Sequence, residues 1–343
     1  MYQSKSYRIT FLLLLLVLLL VFGLNISSGS VIIPLKDTFN AIYGGNLQNE
    51  SWGYIIWEYR IPKALTAIIV GSGLALCGLL MQTLFRNPLA GPFVLGISSG
   101  ASLGAALLIM GSSLFLSIFS FNIISNVTLA FASSIGSFLV LLIVMAVATK
   151  VKDTMALLII GLMFGSITAA IVSVLSYFTN AEKLQQYIYW SFGSLGNLSW
   201  QQLLLLFALV LVGVILSIIS IKSLNAILLG ENYARSLGVN IKNSRYVIII
   251  STGVLAGSIT AFAGPIAFVG LAVPHLTRQI FNTTNHKVLI PAVLIYGAIL
   301  MLLCDTIAQL PSSANVLPIN AITSIIGAPV VIWLLLRKRK MMF

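Results

Sequence analysis

One short stretch of this chain has the residue types of a covalent catalyst. Gly96-Ile97-Ser98-Ser99-Gly100 fits the G-x-S-x-G pattern in which a serine hydroxyl attacks a carbonyl, and His275 is a base that could serve it. Such a nucleophile needs a sharp strand-to-helix turn and a carboxylate to orient the imidazole. Here the five residues lie in an apolar helical run with no carboxylate, and Gly96, Gly100 and Gly104 recur at every fourth position. A helix packing seam is the stronger reading, and Gly161 with Gly165 and Gly253 with Gly257 repeat it. His275, within Pro274-His275-Leu276-Thr277-Arg278, reads as a helix-ending residue that interacts with the last carbonyls. The two histidines, His275 and His286, and the two cysteines, Cys77 and Cys304, form no ligand-spaced set. No metal, cofactor or disulfide framework is expected, and the chain reads as a non-enzyme.

The elements that carry these residues are membrane spans. Of 343 residues, 59% are hydrophobic and 8% charged, and the mean hydropathy is +1.06. Soluble domains carry roughly 25% charged residues, so this is an all-α polytopic membrane protein embedded in a lipid bilayer. At about 20 apolar residues per crossing, ten spans are read: 8–27, 62–84, 93–113, 124–148, 154–177, 200–221, 245–263, 266–281, 288–310 and 318–336. They form one transmembrane domain over residues 1–343. With the N-terminus inside, only Lys36, Arg60, Lys63 and Lys183 of the 19 basic residues fall outside, which predicts both termini in the cytoplasm. The +12 charge therefore reflects topology, and nucleic acid is not an expected partner.

Residues 222–245 are the longest polar interruption on the inner side. Leu224, Ile227, Leu228, Ala234 and Leu237 keep a helical spacing, Glu231 can pair with Arg235 one turn on, and Gly238 is placed to end the helix. A short half-apolar helix of this kind fits a groove on a soluble partner. Outside, Arg60 and Lys63 stand on one helical face against the charge bias, as a patch for an acidic partner or as snorkelling groups. Pro88 and Pro92 hold Asn87 to Gly91 out of helix, as a turn or a pore seal. Gly91-Pro92 to Gly96 is echoed by Gly264-Pro265 to Gly270 on segments running in opposite directions, which suggests an inverted repeat relating spans two to five and seven to ten. Asp305 is the one acid well inside a span, so an ion-coupled secondary transporter is the weaker alternative.

Ordered motifs then match one family from end to end. Arg60-Ile61-Pro62-Lys63-Ala64-Leu65, Gly78-Leu79-Leu80-Met81-Gln82, Arg86-Asn87-Pro88-Leu89-Ala90-Gly91-Pro92, Gly230-Glu231, Leu237-Gly238-Val239, Gly264-Pro265-Ile266, Pro274-His275 and Gly327-Ala328-Pro329 resemble the FecCD-type permeases. These are the membrane subunits of type II ABC importers for iron siderophores, haem and cobalamin in the bacterial inner membrane. The resemblance implies two ATP-binding subunits, an extracytoplasmic substrate-binding protein and a second copy of this chain as partners. It implies ATPase coupling through Glu231, Ala234, Arg235, Leu237 and Gly238, and binding-protein docking through Arg60 and Lys63. The implied cytoplasmic gate is Asn87, Leu89, Asp153 and Thr154. A pathway along a homodimer interface would be lined by Gly161, Gly165, Ser166, Ser173 and Ser176. One position departs from the pattern: a further basic docking residue of a cobalamin-type relative is Gln309 here.

Overall fold

The computed structural model describes residues 7–111, 126–151, 154–196, 198–310 and 315–336. Among these residues every regular element is helical. In chain order they are α1 (Arg8–Ser27), α2 (Leu35–Tyr43), α3 (Glu50–Tyr54), α4 (Ile61–Leu84), α5 (Ile97–Ile109), α6 (Asn126–Lys150), α7 (Thr154–Phe178) and α8 (Ala181–Ser191). The second half contains α9 (Trp200–Ile219), α10 (Ile221–Leu228), α11 (Glu231–Ser236), α12 (Ile241–Ala263), α13 (Val269–Phe281), α14 (His286–Ala308) and α15 (Ile319–Leu336). Every expected span has a helix, and among the described residues seven helices are long and apolar enough to cross a bilayer.

Three boundaries differ from the hydropathy reading, each for a local reason. The span expected at 62 starts at Glu50, because α3 continues through a π-helical turn (Ile55–Arg60) into α4 as one 35-residue rod. Its aromatic and charged first turns are too polar to register as a span, yet Asn49 caps them by accepting from the Ser51 amide at 3.0 Å. The span expected at 93 opens with a 3₁₀ turn (Pro92–Leu95), and α5 itself is only 13 residues long. Gly96 is therefore a left-handed cap rather than part of the helical seam. The polar interruption is two helices, α10 and α11, because Gly230, at a positive φ of 114°, breaks them.

The echo between the two halves has a structural counterpart. α13 is also 13 residues long, and its cap Phe268, like Gly96, is left-handed, with φ 65° against 70°. The long helices α4 and α12 form the centre, with 78% and 72% of their apolar windows buried, whereas α1 and α7 have 17%. Packing is crosswise: α4 lies on α13 and α14 from the other half, while α12 lies on α5 and α6. With lipid as apolar as leucine, close backbone approach must hold such crossings together. A Cβ at Gly71 would stand 2.3 Å from the Gly297 carbonyl oxygen, and one at Gly100 would stand 2.5 Å from that of Gly136. Gly257 likewise meets Ser137, and Gly253 meets Leu141, so these glycines do form seams.

Candidate functional site

At the basic end of the bundle, α10 and α11 present two faces. Leu224, Ile227 and Ala234 are buried against the spans, while Leu229, Tyr233 and Leu237, four residues apart, are exposed in a row. Glu231 anchors the second helix chiefly to α12, through Arg245 at 3.1 Å; the expected partner Arg235 is farther away, at 3.9 Å. At the end of α11 the Gly238 amide donates to the Arg235 carbonyl at 2.9 Å, and the Val239 amide donates to that of Ala234 at 3.0 Å. That pairing is a Schellman motif, and it requires the left-handed φ of 78° found at Gly238. A cleft of about 650 Å³ joins this surface to the end of α4: Leu84, Phe85 and Arg86 face Leu229 to Tyr233 across it, with Met155 of α7 beside them.

The expected gate loop begins where that cleft ends. Asn87 folds it by accepting the Leu89 amide on its side-chain oxygen at 2.9 Å, leaving Leu89 exposed. Thr154 is the first residue of α7, and Asp153 lies outside the described residues. His275 is not at a helix end as expected: it sits within α13, and its Nε2 lies 2.8 Å from the Pro88 carbonyl of the loop. Sequence reasoning missed the polar joint beneath. Asn225 of α10 accepts both the backbone amide of His286, at 2.9 Å, and its Nδ1–H, at 2.7 Å. With the proton on Nδ1, Nε2 is an acceptor 2.9 Å from the Thr83 hydroxyl of α4, whose one O–H is shared with the Leu79 carbonyl at 2.8 Å. One residue away, Gln82 accepts from Arg278 of α13 at 2.8 Å. Consecutive Gln82 and Thr83 in the last turn of an apolar helix were the available signal.

At the opposite end, the expected docking cations are largely engaged inside the protein. Arg60 is 9% exposed and donates to the carbonyls of Ile26 at 2.7 Å, Ser27 at 2.9 Å and Val31. Lys63, with its side chain 20% exposed, pairs with Asp305 at 3.1 Å. Asn25 and Gln309 donate to the other carboxylate oxygen at 3.0 and 2.7 Å. Asp305 therefore ties α1, α4 and α14 together, and Gln309 serves it as a neutral donor. Asp305→Ala is expected to cost about 3 kcal/mol, the low end for one partner stripped from a buried pair, because Lys63 keeps some water. Thermal unfolding in detergent measures this, with Asp305→Asn losing less because it keeps an acceptor. A melt of Asp305→Ala at the wild-type temperature would deny the pair structural weight.

The hydrolase pattern dissolves at this level. Ser98 is the second residue of α5 and shares a 3.3 Å hydrogen bond with the Thr260 hydroxyl of α12, so it sits on a packed crossing rather than a nucleophile turn. Among the described residues no group of three or more His, Cys, Asp or Glu could hold a metal ion. Two end surfaces are thus joined by a buried helical core, and the start of α11 and the end of α4, which runs on into Asn87 and Leu89, line one cleft. A model of the FecCD transport family matches residues 14–337. The chain belongs to the FecCD transport family. It is 37% identical over 340 residues to the vitamin B12 import system permease protein BtuC of Klebsiella pneumoniae, covering 98% of this chain and 95% of that one. To BtuC of Shigella boydii it is 36% identical, over 98% of both chains. An inward-facing metal-chelate type ABC transporter superposes with a TM-score of 0.83 at 31% identity, over 96% of this chain and all of that one. PsaBC of Streptococcus pneumoniae shares the fold alone, with a TM-score of 0.58 at 16% identity over 88% of this chain.

This FecCD chain is thus a multi-pass membrane permease of the ABC importer class. Among the described residues its α7 packs on α5, α6 and the 3₁₀ turn: Gly165 approaches Ser99, and the Gly161 carbonyl approaches Gly96. Ser166 and Ser173 are exposed, and they, like Ser176, turn their hydroxyls back onto the carbonyls of Leu162, Ala169 and Val172. A face whose hydroxyls are satisfied by their own helix offers width without strong ligands.

Proposed function

We propose that two copies of this chain form the pathway of an ATP-driven importer for cobalamin or a related metal chelate, with both termini in the cytoplasm. Two ATP-binding subunits would grip the exposed Leu229, Tyr233 and Leu237 row, and a substrate-binding protein would dock outside around the cleft of about 340 Å³ beside Arg60, Lys63 and Gln309. The observation that carries this reading is the single cleft shared by the α11 surface and the end of α4 that leads into Asn87 and Leu89. Closure of the nucleotide subunits would push α10 and α11 as a unit, and the gate loop would follow, biasing an alternating-access equilibrium. The copies would meet along the exposed face of α7, where Ser166 and Ser173 would line the path; Gly161 and Gly165, expected there, instead turn towards Gly96 and Ser99 of the same chain, and Ser176 is half-buried beside Met110. The identity of the BtuC relatives favours cobalamin, while siderophore and haem remain substrates of the same class.

Gly238→Pro tests the reading. Proline forbids φ 78° and removes the amide that closes the Schellman motif, so the end of α11 must unravel. Uptake in reconstituted vesicles is expected to fall at least about tenfold, a coupling loss within the usual 1–3 kcal/mol, while ATP hydrolysis by the complex persists. Normal uptake would remove the coupling role. An ion-driven carrier would instead transport with no ATP-binding subunit present, and its natural carboxylate, Asp305, is already held by Lys63.

A further inference from the structure

The α2 helix turns its polarity inside out. Its buried residues are Asp37 and Thr38, at 4% and 3% exposure, and Thr38 meets Ser27 of α1 at 3.2 Å. Leu35, Phe39 and Tyr43 are exposed on one arc, with Ile32 just before them at 67% and Tyr43 at 82%. At 100° per residue the exposed arc also holds Lys36, and the polar pair occupies the opposite side. Nine residues cannot cross a bilayer, and a helix surrounded by water would bury the apolar arc and expose the polar one.

Two contacts fix where this arc lies. Arg60 binds the carbonyls of Ile26, Ser27 and Val31, pinning the strap between α1 and α2, and Gly29 admits the guanidinium, since a Cβ there would stand 3.0 Å from Nη2. Trp57 donates its indole N–H to the Ala41 carbonyl at 3.0 Å, fastening the other end of α2 to the top of the α3–α4 rod. The helix is thereby held at the end of α1, which carries its own exposed Leu19, Leu20 and Leu24 in its last turns. Its neighbours Tyr54, Trp57 and Tyr59 are exposed aromatics of the kind that settle at the boundary between headgroups and acyl chains.

We propose that α2 is an interfacial anchor: its Leu35, Phe39 and Tyr43 arc lies in the outer-leaflet boundary of the bilayer, Lys36 reaches anionic headgroups, and Arg60 sets its depth. The occupant is lipid because the arc continues the lipid-facing surface of α1 and carries a cation beside its apolar residues. A second copy is the poorer fit, since α1 and α2 pack on α14 and the α3–α4 rod, whereas the exposed α7 face belongs to the α5 and α6 side. This holds whether or not the chain is driven by ATP.

The test uses the full chain at one copy per nanodisc, without any partner. Nitroxides placed by Leu35→Cys, Phe39→Cys and Gln48→Cys are compared by collision with oxygen and with a water-soluble nickel chelate; the native Cys77 and Cys304 are buried. Positions 35 and 39 are expected to favour oxygen several-fold over position 48, and more so when phosphatidylglycerol is added to phosphatidylcholine. Lys36→Glu should remove that lipid dependence. Aqueous values at 35 and 39 overturn the proposal, as does shielding that appears only with a second copy or a binding protein. In Arg60→Ala, unchanged nitroxide mobility at position 39 would refute the anchoring role of Arg60 and leave the lipid contact to the first comparison.

Discussion

Gly78→Ala is expected to be the most damaging single methyl group that can be added to this protein. A Cβ at that position would stand 1.6 Å from the Gly270 carbonyl oxygen and 2.4 Å from its carbon, both backbone atoms of α13. Neither can rotate away, so α4 and α13 must separate along their whole crossing. Overpacking usually costs about 1–3 kcal/mol, and a collision between two backbones belongs at or above the top of that range. Gly73→Ala is the control: its Cβ would meet the Ile259 side-chain terminus at 2.5 Å, which a rotamer change can relieve. Thermal unfolding in detergent should therefore lose most of the folded signal for Gly78→Ala while Gly73→Ala melts within a few degrees of wild type. Equal melts would mean that the seam yields more easily than its geometry allows.

That contrast also marks what could be read beforehand. Spans were legible because residues facing lipid are apolar and those facing the bundle core are mostly so, which leaves a hydropathy signal at each of the ten. The seam at Gly100 and Gly104 was legible because both glycines lie on one helix. Gly78 and Gly270 were not legible as a pair, since neither belongs to a four-residue repeat of its own and their relation exists only at the crossing. Arg60 illustrates the same limit for charge. Its position against the topological bias was a real signal, but a cation at that end is consistent with a docking patch and with a clasp on the end of α1; only the carbonyls of Ile26, Ser27 and Val31 reveal the clasp. Asp305 looked solitary because its partner Lys63 opens a different span. The α2 and α8 helices escaped notice because nine and eleven residues give too short a pattern to separate from loop.

Breaking the Asn225–His286–Thr83 chain is expected to separate ATP turnover from uptake more selectively than Gly238→Pro. These three residues connect α10, the start of α14 and the last turn of α4, and the Asn87 amide at the head of the gate loop donates to the Gln82 carbonyl next door at 3.1 Å. On the proposed mechanism a push on α10 would reach the loop through these directional bonds as well as through packing. Thr83→Val keeps the shape of the side chain but leaves His286 Nε2 without its donor, and Asn225→Ala frees the imidazole at its other end. Each should cost about 1–3 kcal/mol of stability for the unpaired buried group. Beyond that, uptake per ATP hydrolysed should fall by roughly an order of magnitude, which a purely structural loss would not produce because it lowers both activities together. If the chain is one transmitting unit, the double variant should be little worse than either single one. Additive losses, or uptake and hydrolysis falling in constant ratio, would show that the joint holds the helices without carrying their motion; failure of any ATP-binding subunit to co-purify with the wild-type chain would instead count against the importer reading itself.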